Sequence, residues 1–296
     1  MTSPKYQSVS VIGVGQMGHG ISKNIDKVGM LKSLFDSNLN ALSEFDDRND
    51  IYINDLSNSI QSCDVFIFIV PSTKEILDFL FSNNTILKIK KNSIVIDLTT
   101  SNPEDSLKLS EDLYNNGLHY IDCGMTGGAL GADKGSLTLM IGGENEIIEK
   151  VRPILESFTN SLFHVGKTGS GHALKLIHNM ATHSIFLTTV EAVRSAEELG
   201  IDAEKVIEVF NSGNARSYIS ESRFPNHILS KKWDGRSRVS NLYKDLNMAT
   251  TLLNKMDVKC PYGDLTTEIL ESAIKMDFED TDFTKLFLEY YNLLDQ

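Results

Sequence analysis

Cysteine is scarce. The 296 residues contain three, Cys63, Cys123 and Cys260, scattered and without the paired spacing of a metal site. That pattern offers no disulfide framework and suits buried thiols in a reducing cytosol. Cationic residues are also few. Against 40 Asp and Glu stand 28 Lys and Arg, a formal charge of −12. Phosphates are repelled on average, which excludes nucleic acid as the main partner. A pocket of local positive charge for a small anionic substrate is still compatible with it. No apolar run approaches the roughly 20 residues of a membrane helix. The start of the chain lacks the basic region, apolar stretch and cleavage site of a secretory leader, so a cytoplasmic protein is expected. No internal repeat, low-complexity segment or histidine–carboxylate set with metal spacing is visible.

What is present reads as a soluble globular protein, 41% hydrophobic and 23% charged, long enough for one large or two ordinary domains. The first half alternates short β-rich runs with helical patterns. Strands are expected at "VSVIGV" (Val9–Val14), at "LKSLFD" ending on Asp36, and at "LHYIDC" (Leu118–Cys123). "DVFIFIVP" (Asp64–Pro71) and "NSIVIDLTT" (Asn92–Thr100) are nearly continuous apolar runs, as in strands buried on both faces of a parallel sheet. The second half is helical. An uninterrupted pattern from Gly169 to Leu199 is followed by "AEKVIEVFNSG", "NLYKDLNMATTLLNKM", "LTTEILESAIKM" and the terminal "FTKLFLEYYNLLDQ", whose aromatic face suits a core or a subunit contact. The fold expected is α/β: a doubly wound domain over residues 1–166, then an all-helical domain over 167–296, with the boundary in "GKTGSG".

Three features carry chemistry. Gly13, Gly15 and Gly18 spell G-x-G-x-x-G between a strand and a helix. The first permits a tight turn, the second lets backbone approach a pyrophosphate, and the third lets helix and strand pack closely. Glycines at such a turn can be structural only. Asp36 favours the functional reading, because it ends the next strand, 18 residues after Gly18, where an acidic group takes ribose hydroxyls. Ser37 and Asn38 follow it, without an arginine for a 2′-phosphate, which favours NAD over NADP. The second feature is Thr126-Gly127-Gly128, a hydroxyl and two unhindered backbone N–H groups that can cradle a carboxylate; a plain glycine-rich crossover is the alternative. The third is "GSGHALKLIHNM", where Lys175 and Asn179 share a helix face, with His172 and His183 roughly on it. A lysine and an amide among Leu174, Leu176 and Ile177 can hold and deprotonate a hydroxyl; a solvated lysine and packed histidines are the plain reading.

As a set, these residues resemble the β-hydroxyacid dehydrogenase family, whose members include 3-hydroxyisobutyrate dehydrogenase and tartronate semialdehyde reductase. Four blocks carry the resemblance: "IGVGQMGHGISKNI", "DCGMTGGALGADKGSLTLMIGG", "GKTGSGHALKLIHNM" and "NLYKDLNMA". It implies a Rossmann domain followed by an all-helical domain. Gly13, Val14, Gly15, Gln16, Met17 and Gly18 would then hold the cofactor, with Asp36. Val70-Pro71 and Thr99-Thr100 would border its nicotinamide side. Lys244 and Asp245 match the K-D-L block, whose lysine reaches the cofactor site. Thr126, Gly127 and Gly128 would bind substrate with Asn179, and Lys175 would be the catalytic general acid/base. Arg216 and Ser217, in "GNARSYISESRFP", fall where the family carries substrate-selective residues. The chain departs from the family at Thr126, usually serine; at Cys123-Gly124, usually alanine–proline; and at His178, where asparagine is common.

The implied reaction transfers a hydride between NAD(H) and a small hydroxy acid or semialdehyde. A free lysine keeps its proton to about pH 10. Oxidation therefore requires a site that favours the neutral amine, through desolvation and the positive nicotinamide. A homodimer or homotetramer through the helical domain is expected. An imine reductase is the competing enzyme, disfavoured by Lys175; a catalytically inactive dinucleotide-binding protein is the competing non-enzyme.

Overall fold

The computed structural model describes residues 8–294 apart from Asp46. The first seven residues, read above for a leader, and Asp295 and Gln296 of the terminal helical pattern lie outside the described residues. The chain forms two compact units, which divide between Lys175 and Leu176.

The first unit runs β1 (Val9–Ile12), α1 (Gln16–Lys27), β2 (Leu31–Phe35), β3 (Tyr52–Ile53), α2 (Leu56–Ser62), β4 (Val65–Phe68), α3 (Thr73–Phe81), α4 (Thr85–Lys88), β5 (Ile94–Asp97), α5 (Pro103–Asn115), β6 (His119–Thr126), α6 (Gly128–Lys134), β7 (Leu137–Gly142), α7 (Asn145–Glu156) and β8 (Thr159–Gly166). The eight strands form one sheet in the order β3-β2-β1-β4-β5-β6-β7-β8. The order reverses beside β1, as in a doubly wound Rossmann domain, where ligands bind beyond the strand ends. Every residue of β1, β4 and β5 is buried. Burial on both faces explains the unbroken apolar runs of β4 and β5.

One pairing breaks the parallel rule. β6 and β7 are antiparallel, with Asp122 opposite Gly142 and Thr126 opposite Thr138. Only ten residues separate Thr126 from Leu137, and α6 is a short helix among them. A parallel return needs a dozen or more residues, so the glycine-rich "TGGALGADKG" reverses the chain at one end of the sheet. From the sequence a strand is expected only as far as "LHYIDC", followed by a carboxylate cradle or a glycine-rich crossover. β6 in fact continues to Thr126, and β7 and β8 add two strands.

Helix α8 (Ser170–Glu198) carries the chain into the second unit. There follow α9 (Ala203–Ser212), a π-helical segment over Ile219–Leu229, α10 (Val239–Lys255), α11 (Pro261–Lys275), a 3₁₀ turn at Phe283–Lys285 and α12 (Leu286–Leu294). This unit is all-helical, as expected. Its core joins Phe186, Val190 and Val193 of α8 to Leu246, Leu270 and Phe287. Most of the apolar "SIFLTTVEAV" is therefore spent inside its own unit. The aromatic C-terminal face is likewise mainly core: Phe287 and Tyr290 are buried, and the Arg194 guanidinium lies 5.4 Å from the ring centres of both Phe287 and Tyr291.

Candidate active site

The first loop shows what each glycine does. Gly13 has φ +94, a left-handed conformation, and a Cβ there would lie 2.2 Å from the Ile69 carbonyl oxygen. A Cβ on Gly18 would lie 1.9 Å from the Gly13 oxygen, so α1 packs directly on the turn. Gly15 is exposed, with nothing within 4 Å of its missing Cβ. It is also the N-cap of α1, and no side chain caps the helix. The open approach and the uncapped helix start fit a pyrophosphate at this turn. Asp36 follows β2 and faces the loop. Its Oδ2 accepts from Val14 N at 2.7 Å and its Oδ1 from Asn38 N at 2.8 Å. The Asn54 side chain bonds both backbone groups of Asp36. The carboxylate thus fastens the glycine turn. Gln16 is exposed and Met17 half-buried beside it.

The neighbouring strand ends carry the other cofactor candidates. Val70 is half-buried and Pro71 exposed after β4; Thr99 is buried and Thr100 half-buried after β5. Thr99 N donates to Asp97 Oδ1 at 2.9 Å, which fixes that loop.

The second glycine cluster also has a physical reason. Gly127 (φ +123) and Gly128 (φ +63) are consecutive left-handed residues, which only glycine adopts freely. They turn the chain from β6 into α6; a Cβ at Gly128 would meet nothing within 4 Å, and one at Gly127 would lie 3.0 Å from Leu137 Cδ2. α6 is docked on α1. A Cβ on Gly20 would lie 2.6 Å from Asp133 N, and Asn24 Nδ2 donates to Ala132 O at 2.8 Å. The helix of the glycine turn and the Thr126–Gly128 corner are therefore fixed to one another.

β6 presents Asp122, Gly124 and Thr126 on one face, since side chains alternate along a strand. Asp122 is fully buried and accepts from Gly169 N at 2.7 Å and His172 N at 2.9 Å. It caps the start of α8. Two residues on, a Cβ at Gly124 would lie 2.4 Å from Lys175 Cβ and 2.8 Å from the Gly171 oxygen. Glycine here lets α8 lie against the strand. The sequence departure at this position is thus a contact with the lysine itself. Thr126 is the next residue on that face. Lys175 is half-buried. Its sequence neighbours do not enclose it as expected: Leu176 is buried, but Leu174 and Ile177 are 37% and 41% exposed.

His172 is an interior residue. It is fully buried, with Nδ1 2.7 Å from Ser106 Oγ and Nε2 3.3 Å from the Asp97 carbonyl oxygen. Burial pushes the Asp97 carboxyl and the Tyr120 phenol above their usual ranges, and the phenol donates to Asp97 Oδ2 at 2.9 Å. No local pattern in the sequence marks this cluster. The three cysteines are buried, and burial raises each thiol, Cys63 to about 12. None is a poised nucleophile. Among the described residues no group of three or more His, Cys, Asp or Glu is placed to hold a metal, and no helix is long and apolar enough to cross a membrane.

In the second unit, Asn179 is buried and its Nδ2 donates to Asp245 Oδ2 at 2.7 Å. That bond fixes the amide, with Oδ1 3.2 Å from His178 Nδ1. Asp245 is itself buried. Lys244 is half-exposed, its Nζ 3.7 Å from Asp245 Oδ1. Arg216 is exposed and ion-paired with Glu221, Nε to Oε1 3.3 Å. Ser217 Oγ accepts from Ser220 N at 3.2 Å at the head of the π-helical segment. His183 is half-buried in mid-helix.

The profile of the NAD binding domain of 6-phosphogluconate dehydrogenase matches residues 8–166, and that of NADP-dependent 3-hydroxyisobutyrate dehydrogenase, described as NAD-binding, matches residues 169–290. A probable mitochondrial 3-hydroxyisobutyrate dehydrogenase of Arabidopsis thaliana is 27% identical, over 99% of this chain and 90% of its own. The NAD-dependent L-serine dehydrogenase of Pseudomonas aeruginosa is 25% identical, over 95% and 98%. The fold is also that of Mycobacterium tuberculosis 3-hydroxyisobutyrate dehydrogenase, solved with L-serine, at TM-score 0.86 and 21% identity, covering 96% and 99% of the two chains. The fold and the cofactor turn define a dinucleotide-dependent oxidoreductase. The chain belongs to the β-hydroxyacid dehydrogenase family.

Proposed function

We propose that the protein interconverts a short β-hydroxy acid and its semialdehyde, with Lys175 moving the hydroxyl proton. The observation that carries this reading is the lie of Lys175 against Gly124, on the same face of β6 as Thr126. The substrate carboxylate would sit on the Thr126 hydroxyl and the N–H groups of Gly127 and Gly128. Its hydroxyl would face Lys175 Nζ. Bound NAD supplies the hydride acceptor, and NADH the donor. In oxidation the neutral Lys175 amine takes the hydroxyl proton; in reduction the ammonium returns it and stabilises the alkoxide. Asn179, one helical turn further along α8, has its amide oriented by Asp245 and would help to bind the substrate. Val14, Gln16 and Met17 would line the cofactor turn, Val70, Pro71, Thr99 and Thr100 would border the nicotinamide, and Lys244 would bring a cation to the cofactor. Arg216 and Ser217 would bear on substrate selection. The Arabidopsis and Pseudomonas relatives point to 3-hydroxyisobutyrate and L-serine as the first substrates to try. A screen of short hydroxy acids for NADH formation tests the reading; sustained turnover of one of them is expected.

Asp36 leads to a cofactor prediction. Its carboxylate accepts from ribose hydroxyls and opposes an added 2′-phosphate. We expect NAD to bind at least about tenfold more tightly than NADP, about 1.4 kcal/mol. Titration of both cofactors decides, and equal or tighter NADP binding contradicts the assignment.

We further propose a domain boundary near Gly166, a cytoplasmic location, and a homodimer or homotetramer built through the helical unit. Ser184 of α8 bonds Thr266 Oγ1 of α11 at 2.9 Å, and beside that contact Ile185, Tyr262 and Leu265 are 45%, 81% and 55% exposed. Light scattering at micromolar concentration should give a dimer or tetramer; a monomer refutes it.

A further inference from the structure

We propose that His172 is a positioning residue for the reaction, its imidazole locking the first turn of α8, and with it Lys175, to the loop that carries Thr99 and Thr100. The inference rests on the reading of Lys175 as the proton-transfer group. His172 lies three residues before Lys175, on the adjoining part of the helix surface. Asp97 O is a carbonyl oxygen, so Nε2 donates to it, while Nδ1 pairs with the Ser106 hydroxyl, which also reaches the Asn102 carbonyl oxygen at 3.2 Å. Both partners belong to other elements, the end of β5 and helix α5. The same Asp97 holds Thr99 N through Oδ1 and is fixed by the Tyr120 hydroxyl at Oδ2. A continuous path of buried hydrogen bonds therefore runs from the lysine's helix to the loop assigned to the nicotinamide side. Packing alone does not require it. A leucine would fill much of the space and make neither bond. Hydride and proton leave adjacent atoms of the substrate, so the distance between these two elements is the quantity the reaction depends on.

The test compares wild type with His172→Leu, His172→Gln and Ser106→Ala, each saturated with NAD. Hydrogen exchange by mass spectrometry is read over residues 97–101 and 169–176. Turnover and the primary isotope effect are read with 3-hydroxyisobutyrate deuterated at its carbinol carbon. His172→Leu should speed exchange about tenfold or more in both segments together, with the rest of the sheet unchanged. It should lower kcat about 10- to 100-fold and raise the isotope effect, with KM for NAD within about twofold. His172→Gln presents a donor and an acceptor and should restore both readouts; Ser106→Ala should fall between. If the leucine variant does not fold, the glutamine and Ser106 variants decide. Wild-type exchange in either segment of both His172→Leu and Ser106→Ala, faster exchange spread over the whole sheet, or no rescue by glutamine overturns the proposal. These results stand without turnover of the probe. Wild-type turnover by Lys175→Met would instead overturn the lysine's role, and leaves the exchange result to judge the clamp.

Discussion

Lys175→Met should fold, bind NAD as the wild type does, and lose turnover by a factor of about 10² to 10⁴, the usual worth of general acid–base catalysis. The glycine turn and Asp36 are built by β1, α1 and β2, so cofactor affinity should hold. The methionine keeps the length and flexibility of the stem and removes only the titratable head. Lys175→Arg should not rescue activity, because a guanidinium does not release its proton near neutral pH. Melting temperature and NAD affinity, measured beside kcat, separate chemistry from folding. A loss of turnover that merely follows a loss of folded protein would assign Lys175 to structure.

Gly124→Ala should lower kcat about 10²-fold while NAD affinity stays within about twofold. The backbone at Gly124 is not left-handed, so alanine is conformationally acceptable and the test is steric. Its Cβ would lie 2.4 Å from Lys175 Cβ and 2.8 Å from the Gly171 oxygen. Carbon contacts settle near 3.5–4.0 Å, so the first turns of α8 must retreat by about 1 Å from β6. A shift of that size at the reacting groups is enough for the expected loss. Overpacking should also cost about 1–3 kcal/mol of stability. Near-wild-type kcat in the folded variant would show that the spacing between Lys175 and β6 is not critical. The measurement is steady-state kinetics with a titration of NAD.

Local features of the fold were legible in the sequence because their causes are local. The spacing of Gly13, Gly15 and Gly18 states a turn, an open approach and a close packing, and each was found where the spacing put it. Lys175 and Asn179 share a helix face by periodicity alone. β7 and β8 were missed for different reasons. "LTLMIG" lies inside a glycine-rich stretch that reads equally as loop, and β8, "TNSLFHVG", is an edge strand with largely half-buried or exposed residues and no clean alternation. The capping of α8 by Asp122 joins residues 47 and 50 positions apart, and His172 reaches 66 and 75 positions to Ser106 and Asp97. No window of sequence contains both members of such a pair. Lys175 looked enclosed by leucines in the linear sequence, yet the helix turns Leu174 outward and Gly124, not those neighbours, meets the lysine.

The most direct test of the account is NADH formation from short hydroxy acids, 3-hydroxyisobutyrate and L-serine first, by wild type and Lys175→Met side by side. Wild type should produce NADH steadily with at least one of these acids, and the equally folded variant at a rate at least about 10² lower. Equal rates in the two proteins, or a wild type that binds NAD and oxidises none of the acids, would contradict it.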